Sequence, residues 1–250
     1  MAVCSVRRSI VFSHWCVWVA HASFSVIAEA AFRFRLRIPL WAINTAMISL
    51  GDATPTPATP DVDGFYILSL PKGKSSVTLT LPMDVRIEEE QAGGVSVHAG
   101  ALLFALDLNP VEHNTGPGGC YYPPQGCDIA PLRPSVNWRQ GLLLDRAAGR
   151  SGGLILERTQ KAGAAGTAPP FNRASVALRI RAKATTIDNS SWPTVNCTSM
   201  ESGCHDCVGP IPTAKVVETS TKTAQAPSEV TLLPFGATDI RIAVMPASWQ

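Results

Sequence analysis

Ser76-Val-Thr-Leu-Thr-Leu-Pro-Met-Asp-Val-Arg-Ile-Glu88 decides the fold. Its odd positions, Val77, Leu79, Leu81, Met83, Val85 and Ile87, are all apolar, and its even positions are polar or proline throughout. A period of two describes an extended strand with one face in a core and the other in water. On a helix the same apolar groups would be scattered around the whole circumference. Valine and threonine add a preference for the pleated surface, because branching at Cβ stiffens χ1. Pro82 has no N–H to give to a ladder, so the pattern predicts an edge strand, or one that bends at Pro82.

Towards the N-terminus the signals repeat. Gly64 to Leu70 reads as a strand, closed by the turn Pro71-Lys72-Gly73-Lys74, and Thr54 to Pro60 is a proline-rich loop. Thr45 to Leu50 is a short strand ending at Gly51-Asp52. In Phe32 to Leu40, the residues Phe32, Phe34, Leu36, Ile38 and Leu40 share one face, while Arg33, Arg35 and Arg37 share the other. An arginine row suits an anion or an acidic sugar; it equally suits a solvated face or ion pairs to acidic residues on a neighbouring strand. Residues 1–30 differ: Arg7-Arg8, a mostly apolar stretch from Ile10 to Ile27, then Ala28-Glu29-Ala30. That is the layout of a secretory signal peptide. A membrane anchor and a mistaken gene start are the alternatives.

Towards the C-terminus Gly93-Gly94 marks a break, Val95, Val97 and Ala99 alternate, and Ala101 to Leu106 is continuously apolar, as in a strand buried on both faces. Further strands are expected at Leu142 to Asp145, Leu154 to Glu157, Ser175 to Ala182, Val216-Val217, Val230 to Leu233 and Ile240 to Val244. Long loops run from Asp107 to Pro134, Lys161 to Pro170 and Asp188 to Ala214. No long amphipathic helix and no internal repeat stands out. The expectation is an all-β chain: two packed antiparallel, jelly-roll-like β-sandwiches, residues 31–92 and 93–250, after a leader over 1–30.

The chain has 250 residues, with 16% charged and a net charge of +2. It therefore lacks the concentrated basic face of a nucleic-acid binder. Its 19 glycines and 20 prolines fit many short strands joined by turns. Seven cysteines are an odd number, so at least one has no partner within the chain.

Candidate chemistry gathers in the loops. Cys204-His-Asp-Cys207, with Cys197 upstream, has the spacing of a zinc half-site, but no second such pair exists; in a secreted chain a disulfide framework is the leading reading, with free thiols and a redox motif as the others. Cys120 and Cys127 could close the loop carrying Tyr121 and Tyr122, while Cys4 and Cys16 would leave with the leader. Asn189-Ser-Ser and Asn196-Cys-Thr are N-glycosylation sequons. Glu88-Glu89-Glu90 offers carboxylates for acid/base work on a glycosidic bond, although three consecutive side chains splay apart and suit a solvated turn. The five histidines are scattered, and neither a Ser/His/Asp order nor a glycine-rich phosphate loop occurs. Tyr121, Tyr122, Trp138 and Trp192 lie in or beside the long loops, where aromatic faces can stack on sugar rings or cap the sandwich ends.

The order of the pieces resembles a known family. Phe32-Arg-Phe-Arg-Leu-Arg-Ile-Pro-Leu-Trp-Ala42, the Gly64-Phe-Tyr-Ile strand, Val77 to Arg86 and Val95 to Leu106 follow one another as in the β-sandwich region of glycoside hydrolase family 127, the β-L-arabinofuranosidase-like enzymes. Trp138 with Leu142-Leu-Leu-Asp145, Pro170-Phe171 before Val176 to Lys183, Trp192, and Leu233-Pro-Phe-Gly-Ala-Thr-Asp-Ile-Arg-Ile-Ala243 continue the likeness over residues 32–246. The resemblance implies an active site elsewhere, on an upstream helical barrel with a cysteine nucleophile, a zinc held by glutamate and cysteine, and an acid/base glutamate. No adjacent cysteine pair occurs here, so no catalytic residue, metal ligand or cofactor site carries over to this chain. What it implies is an accessory region whose partners are its own or a separate catalytic barrel and arabinose-containing glycans, outside the cell, with no nucleic acid and no membrane span once the leader is removed. A stand-alone secreted carbohydrate- or protein-binding module is the alternative; a complete small hydrolase has no supporting constellation.

Overall fold

The computed structural model describes residues 8–15, 21–91, 93–112, 132–158, 176–195, 207–223, 226–238 and 242–250. The chain forms two compact units, Met1–Asp84 and Val85–Gln250, both built mainly of β-structure.

The first unit contains β1 (Arg8–Trp15), β2 (His21–Ala28), β3 (Phe32–Arg37), β4 (Met47–Leu50), β5 (Thr56–Pro57), β6 (Phe65–Leu70) and β7 (Gly73–Thr80). One sheet has the order β1-β2-β7-β4-β5, and β3 pairs separately with β6 from Phe32↔Leu70 to Arg37↔Phe65. Val26, Ile48, Val77 and Leu79 from the first sheet and Leu36 and Leu70 from the second belong to one apolar cluster. Phe24 meets Phe34 edge-on at 5.6 Å between ring centroids, a favoured aromatic geometry. The arginine face of β3 points to solvent, as its alternation requires: Arg33, Arg35 and Arg37 are exposed while Leu36 is buried.

Four expectations differ from the structure here. The alternating run does not form one strand. It ends as β7 at Thr80 and restarts as β8 (Val85–Glu89), and these strands belong to different sheets and different units. Pro82 cannot donate to a ladder, so the chain leaves the sheet there. β7 is not an edge but lies between β2 and β4. The break falls ahead of the Gly93-Gly94 turn, because β8 pairs with β9 (Val95–Ala99). Residues 21–28, read as part of the leader, form β2 and pair in unbroken register with β7, from His21↔Thr80 to Ala28↔Gly73. Phe24, Val26 and Ala28 are buried while Ile27 is 54% exposed, and Ser23 shares a hydroxyl contact with Thr78. Ser23 and Ser25, which interrupt the apolar stretch, alternate along β2 with the buried Phe24 and Val26.

The second unit adds β10 (Leu102–Leu106), β11 (Pro110–Glu112), β12 (Leu132–Pro134), β13 (Gln140–Leu144), β14 (Ile155–Arg158), β15 (Leu178–Thr186), β16 (Thr194–Val195), β17 (Cys207–Val208), α1 (Ala214–Thr223), β18 (Ser228–Pro234), β19 (Val244–Met245) and β20 (Ala247–Trp249). Its large sheet runs β19-β9-β10-β18-β15-β13-β20, with β8 on β9 and β14 on β15. Phe104, Ala105 and Leu106 are all at most 2% exposed, so the apolar run is buried on both faces over the second half of β10, while Leu102 and Leu103 are half-buried and Ala101 is exposed. The sheet is not wholly antiparallel: β20 pairs parallel to β13, with Leu142 opposite Ala247. A parallel pair needs a long crossover, which the intervening chain supplies.

Val216-Val217 is not a strand but the start of α1. Thr213 O accepts from the N–H groups of both Val216 and Val217, which opens the helix. Val217 is fully buried with Leu143, Ile187 and Trp192. With Val216 and Val217 as the only strongly apolar side chains among its ten residues, α1 carries too short a 3.6-residue pattern to be legible in sequence.

Gly94 marks a site where no other residue fits. Its φ is +77°, and a Cβ there would lie 2.7 Å from the carbonyl oxygen of Met245. Gly94→Ala is therefore expected to lower unfolding free energy by about 2–4 kcal/mol, from left-handed strain plus overpacking. Urea unfolding followed by intrinsic tryptophan fluorescence checks this; a loss within 0.5 kcal/mol, the scatter of neutral surface changes, would contradict the packing described.

Candidate functional site

Two polar clusters in the second unit carry side chains capable of chemistry. The first follows from the β8–β9 register, which sets Glu88 opposite Ser96 and Arg86 opposite His98. Arg86 Nε donates to Glu88 Oε1 at 2.7 Å and Arg86 Nη1 to Gly100 O at 2.5 Å. Ser96 Oγ donates to Glu90 Oε1 at 2.5 Å and lies 3.1 Å from His98 Nε2, which is itself 3.6 Å from Glu88 Oε2. Serine, histidine and carboxylate thus meet, but not as a nucleophilic triad. A triad holds the serine on one ring nitrogen and the carboxylate on the other. Here both approach Nε2, the serine proton goes to Glu90, and Ser96 is only 2% exposed. Glu88 near the end of β8 and Glu90 just beyond it both reach side chains of β9, His98 and Ser96 respectively. Burial lowers the pKa of His98 below the usual imidazole range, with the Glu88 charge acting in opposition. The hydrogen bond from Arg86 lowers the pKa of Glu88.

The second cluster joins the start of β13 to the loop after β15. The rings of Trp138 and Trp192 meet at 4.9 Å and 70°. Trp192 is 1% exposed, and its indole N–H donates to Gly209 O at 3.2 Å. The Arg139 guanidinium carbon sits 4.1 Å from the Trp138 ring centroid, a cation–π contact. Arg139 Nε donates to Trp192 O at 2.7 Å and Nη2 to Asn189 Oδ1 at 2.5 Å. Asp188 ties the turn beneath: Oδ1 accepts from Ser190 Oγ at 2.5 Å and Ser191 N at 2.8 Å, and Oδ2 from Ser191 Oγ at 2.9 Å. Those bonds, the Ser190 hydroxyl first, hold the Asp188 pKa down to about 2.

The cluster corrects one expectation. Trp192 cannot stack on a sugar, because burial and its indole bond make it a core residue. Trp138 is half-buried, with Arg139 over its ring. Asn189 is exposed, and Arg139 occupies its amide oxygen rather than the nitrogen a glycan would use. Tyr121, Tyr122, Cys120, Cys127, Asn196, Cys197 and Cys204 lie outside the described residues, and of Cys207 only its backbone place in β17 is described. Among the described residues no group of three or more His, Cys, Asp and Glu side chains could hold a metal, and no helix is long and apolar enough to cross a membrane. The arginine row of β3 resolves partly into local pairing: Arg35 lies 4.0 Å from Asp61 and 3.9 Å from Asp63, and over Phe65 at 4.4 Å. Sequence reasoning missed Arg139 and Asp188. Asp188-Asn-Ser-Ser191 carried a readable side-chain turn signal; Arg139 carried none.

The sign of the β8–β9 cluster's pH dependence follows from its two shifts. Both folded-state pKa values lie below their ordinary values of 6.5 for His98 and 4.5 for Glu88. Each group's contribution is complete above its ordinary value and is lost as pH falls through the lower folded value. Stability is therefore expected to decline on acidification from pH 6.5, first through His98 and then, below 4.5, through Glu88. Urea midpoints measured against pH should show a shallower decline below 6.5 in His98→Gln than in the parent; parallel curves would remove His98 from the account.

No protein-family model matches the chain, and no curated protein matches it in sequence. Solved structures match it in fold. A GH127 β-L-arabinofuranosidase from Geobacillus stearothermophilus T6 aligns with a TM-score of 0.53 and 15% identity over 97% of this chain and 31% of its own. A second structure, described as a glycoside hydrolase, aligns with a TM-score of 0.53 and 14% identity over 96% of this chain and 32% of its own. The chain thus spans about a third of the length of the solved structures it matches. The resemblance to glycoside hydrolase family 127 read from the ordered motifs holds at the level of the fold.

Proposed function

We propose that this chain is the non-catalytic β-sandwich portion of a β-L-arabinofuranosidase-like glycoside hydrolase and that it supports a catalytic barrel, its own or a separate one. The observation that supports this reading is the pair of coverages: nearly all of this chain aligns with under a third of each solved hydrolase. On this reading the chain corresponds to one part of a larger enzyme. The absence of an adjacent cysteine pair in the sequence agrees, since the family's zinc and nucleophile would then lie on the barrel. On this reading the sheets of each unit close into jelly-roll-like sandwiches, the protein works outside the cell, the sequons at Asn189 and Asn196 carry glycans, and arabinose-containing glycans are the barrel's substrates. Fold alone does not establish activity, which resides in the site.

Two measurements test the proposal. Sequencing the transcript upstream of Met1 is expected to show an in-frame extension encoding a helical barrel with adjacent cysteines. The purified 250-residue chain is expected to leave an aryl β-L-arabinofuranoside unhydrolysed. Steady turnover by that chain, abolished by a substitution within it, would overturn the supporting role.

A further inference from the structure

Strand β3 of the first unit is paired on one side only, with β6. The register shows which backbone groups face that partner. Ile38 N donates to Gly64 O at 3.0 Å, in line with the ladder that sets Leu36 opposite Tyr66. Bonded and non-bonded pairs alternate along an antiparallel ladder. Phe32, Phe34 and Leu36 therefore turn their N–H and C=O groups to β6, and Arg33, Arg35 and Arg37 turn theirs away. Phe65, opposite Arg37, shows the same alternation from the other strand. Its N–H donates to Asp61 Oδ1 at 2.8 Å and its C=O accepts from Asp61 N at 2.8 Å, both on the side away from β3. No such cover exists on β3. Among the described residues, nothing bonds the outward N–H and C=O groups of the three arginines.

The side chains of these same residues make the edge selective. All three are exposed on one face, at positions about 7 Å apart along the strand. The Phe65 ring lies under Arg35 at 4.4 Å and Arg37 at 5.6 Å, cation–π contacts that orient both guanidinium groups. Arg35 reaches Asp63 and Asp61 only at 3.9 and 4.0 Å, and solvent-exposed pairs of that length hold weakly. Arg33 and Arg37 form no ion pair among the described residues. A strand added along this edge would set one residue opposite each arginine, on the same face. Like charges placed opposite one another are unfavourable, which disfavours a second copy of β3 as the partner. Carboxylates at every second position would match all three guanidinium groups, with bidentate geometry open to each. The residues between them would fall beside the half-buried Phe34 and the buried Leu36, where apolar side chains extend the first unit's core. We propose that β3 takes up an extended segment of a partner protein, acidic and apolar residues alternating, as an added strand along Arg33, Arg35 and Arg37. The proposal rests on the first unit alone and does not depend on the supporting role proposed above.

Amide hydrogen exchange of the full 250-residue chain, read by NMR, tests it with a capped peptide of alternating glutamate and valine, six residues long to match β3. The peptide is expected to bind saturably with a Kd below about 1 mM and to slow exchange at the amides of Arg33, Arg35 and Arg37. The amides of Phe34 and Leu36, already bonded to β6, should change little. The double variant Arg33→Gln/Arg37→Gln should weaken binding about 2- to 30-fold, the loss of two cross-strand charge pairs. Methylating the peptide nitrogens that face β3 should abolish binding. The proposal is overturned if the glutamate peptide does not bind up to about 1 mM, or binds without slowing those three amides. Equal binding by a lysine–valine peptide overturns it, as does binding that survives methylation. Polygalacturonate binding with no peptide binding would make the row a saccharide site instead. Protection of the same amides that grows with protein concentration alone would make it a contact between copies.

Discussion

A single missing N–H divides this molecule. Along Ser76 to Glu88 the side-chain alternation continues without a fault, and side-chain chemistry alone would make one long strand. Pro82 breaks the backbone ladder while leaving the pattern intact. Upstream of it, β7 is held on both sides, by β2 over eight residue pairs and by β4 over four. Downstream, β8 is free to take β9 as a partner and to begin the second sheet. Strand pairing needs backbone donors as well as a hydrophobic face, and at Pro82 the two requirements separate.

The same distinction explains what could be read from the sequence. Alternating runs with a clear buried face, Phe32 to Arg37 and Val77 to Thr80, were legible because burial follows side-chain period directly. So was β10, whose apolar run is buried on both faces from Phe104 to Leu106. β2 was not, because a strand with small polar outward residues, Ser23 and Ser25, has the composition of an interrupted signal sequence. α1 was not, because two adjacent valines among threonines fit either period. β20 was not, because its partner β13 lies a hundred residues upstream and three residues hold no period. Local pattern reports which face is buried; it does not report the partner.

The polar clusters were less legible still. Glu88, Glu90 and His98 were each visible, but their meeting depends on a register that places Glu88 opposite Ser96. Once assembled, the group contains every residue type of a hydrolytic triad and none of its geometry. The serine proton is committed to a carboxylate, and the hydroxyl has no access to solvent. Trp192 failed in the other direction. An aromatic residue in a long loop beside two sequons suggested a sugar-contacting surface, yet the tertiary structure uses its ring as core and its N–H as a tie to Gly209. Residue type proposes a chemistry; exposure and the direction of hydrogen bonds decide whether it is available.

That criterion applies to both polar clusters. In each the polar atoms satisfy one another: Ser96 gives its proton to Glu90, Arg86 bonds Glu88 and Gly100 O, and Arg139 ties Trp192 O to Asn189. Desolvation has therefore already been compensated within the fold, and these groups fix strand and loop positions instead of presenting open acceptors to a ligand.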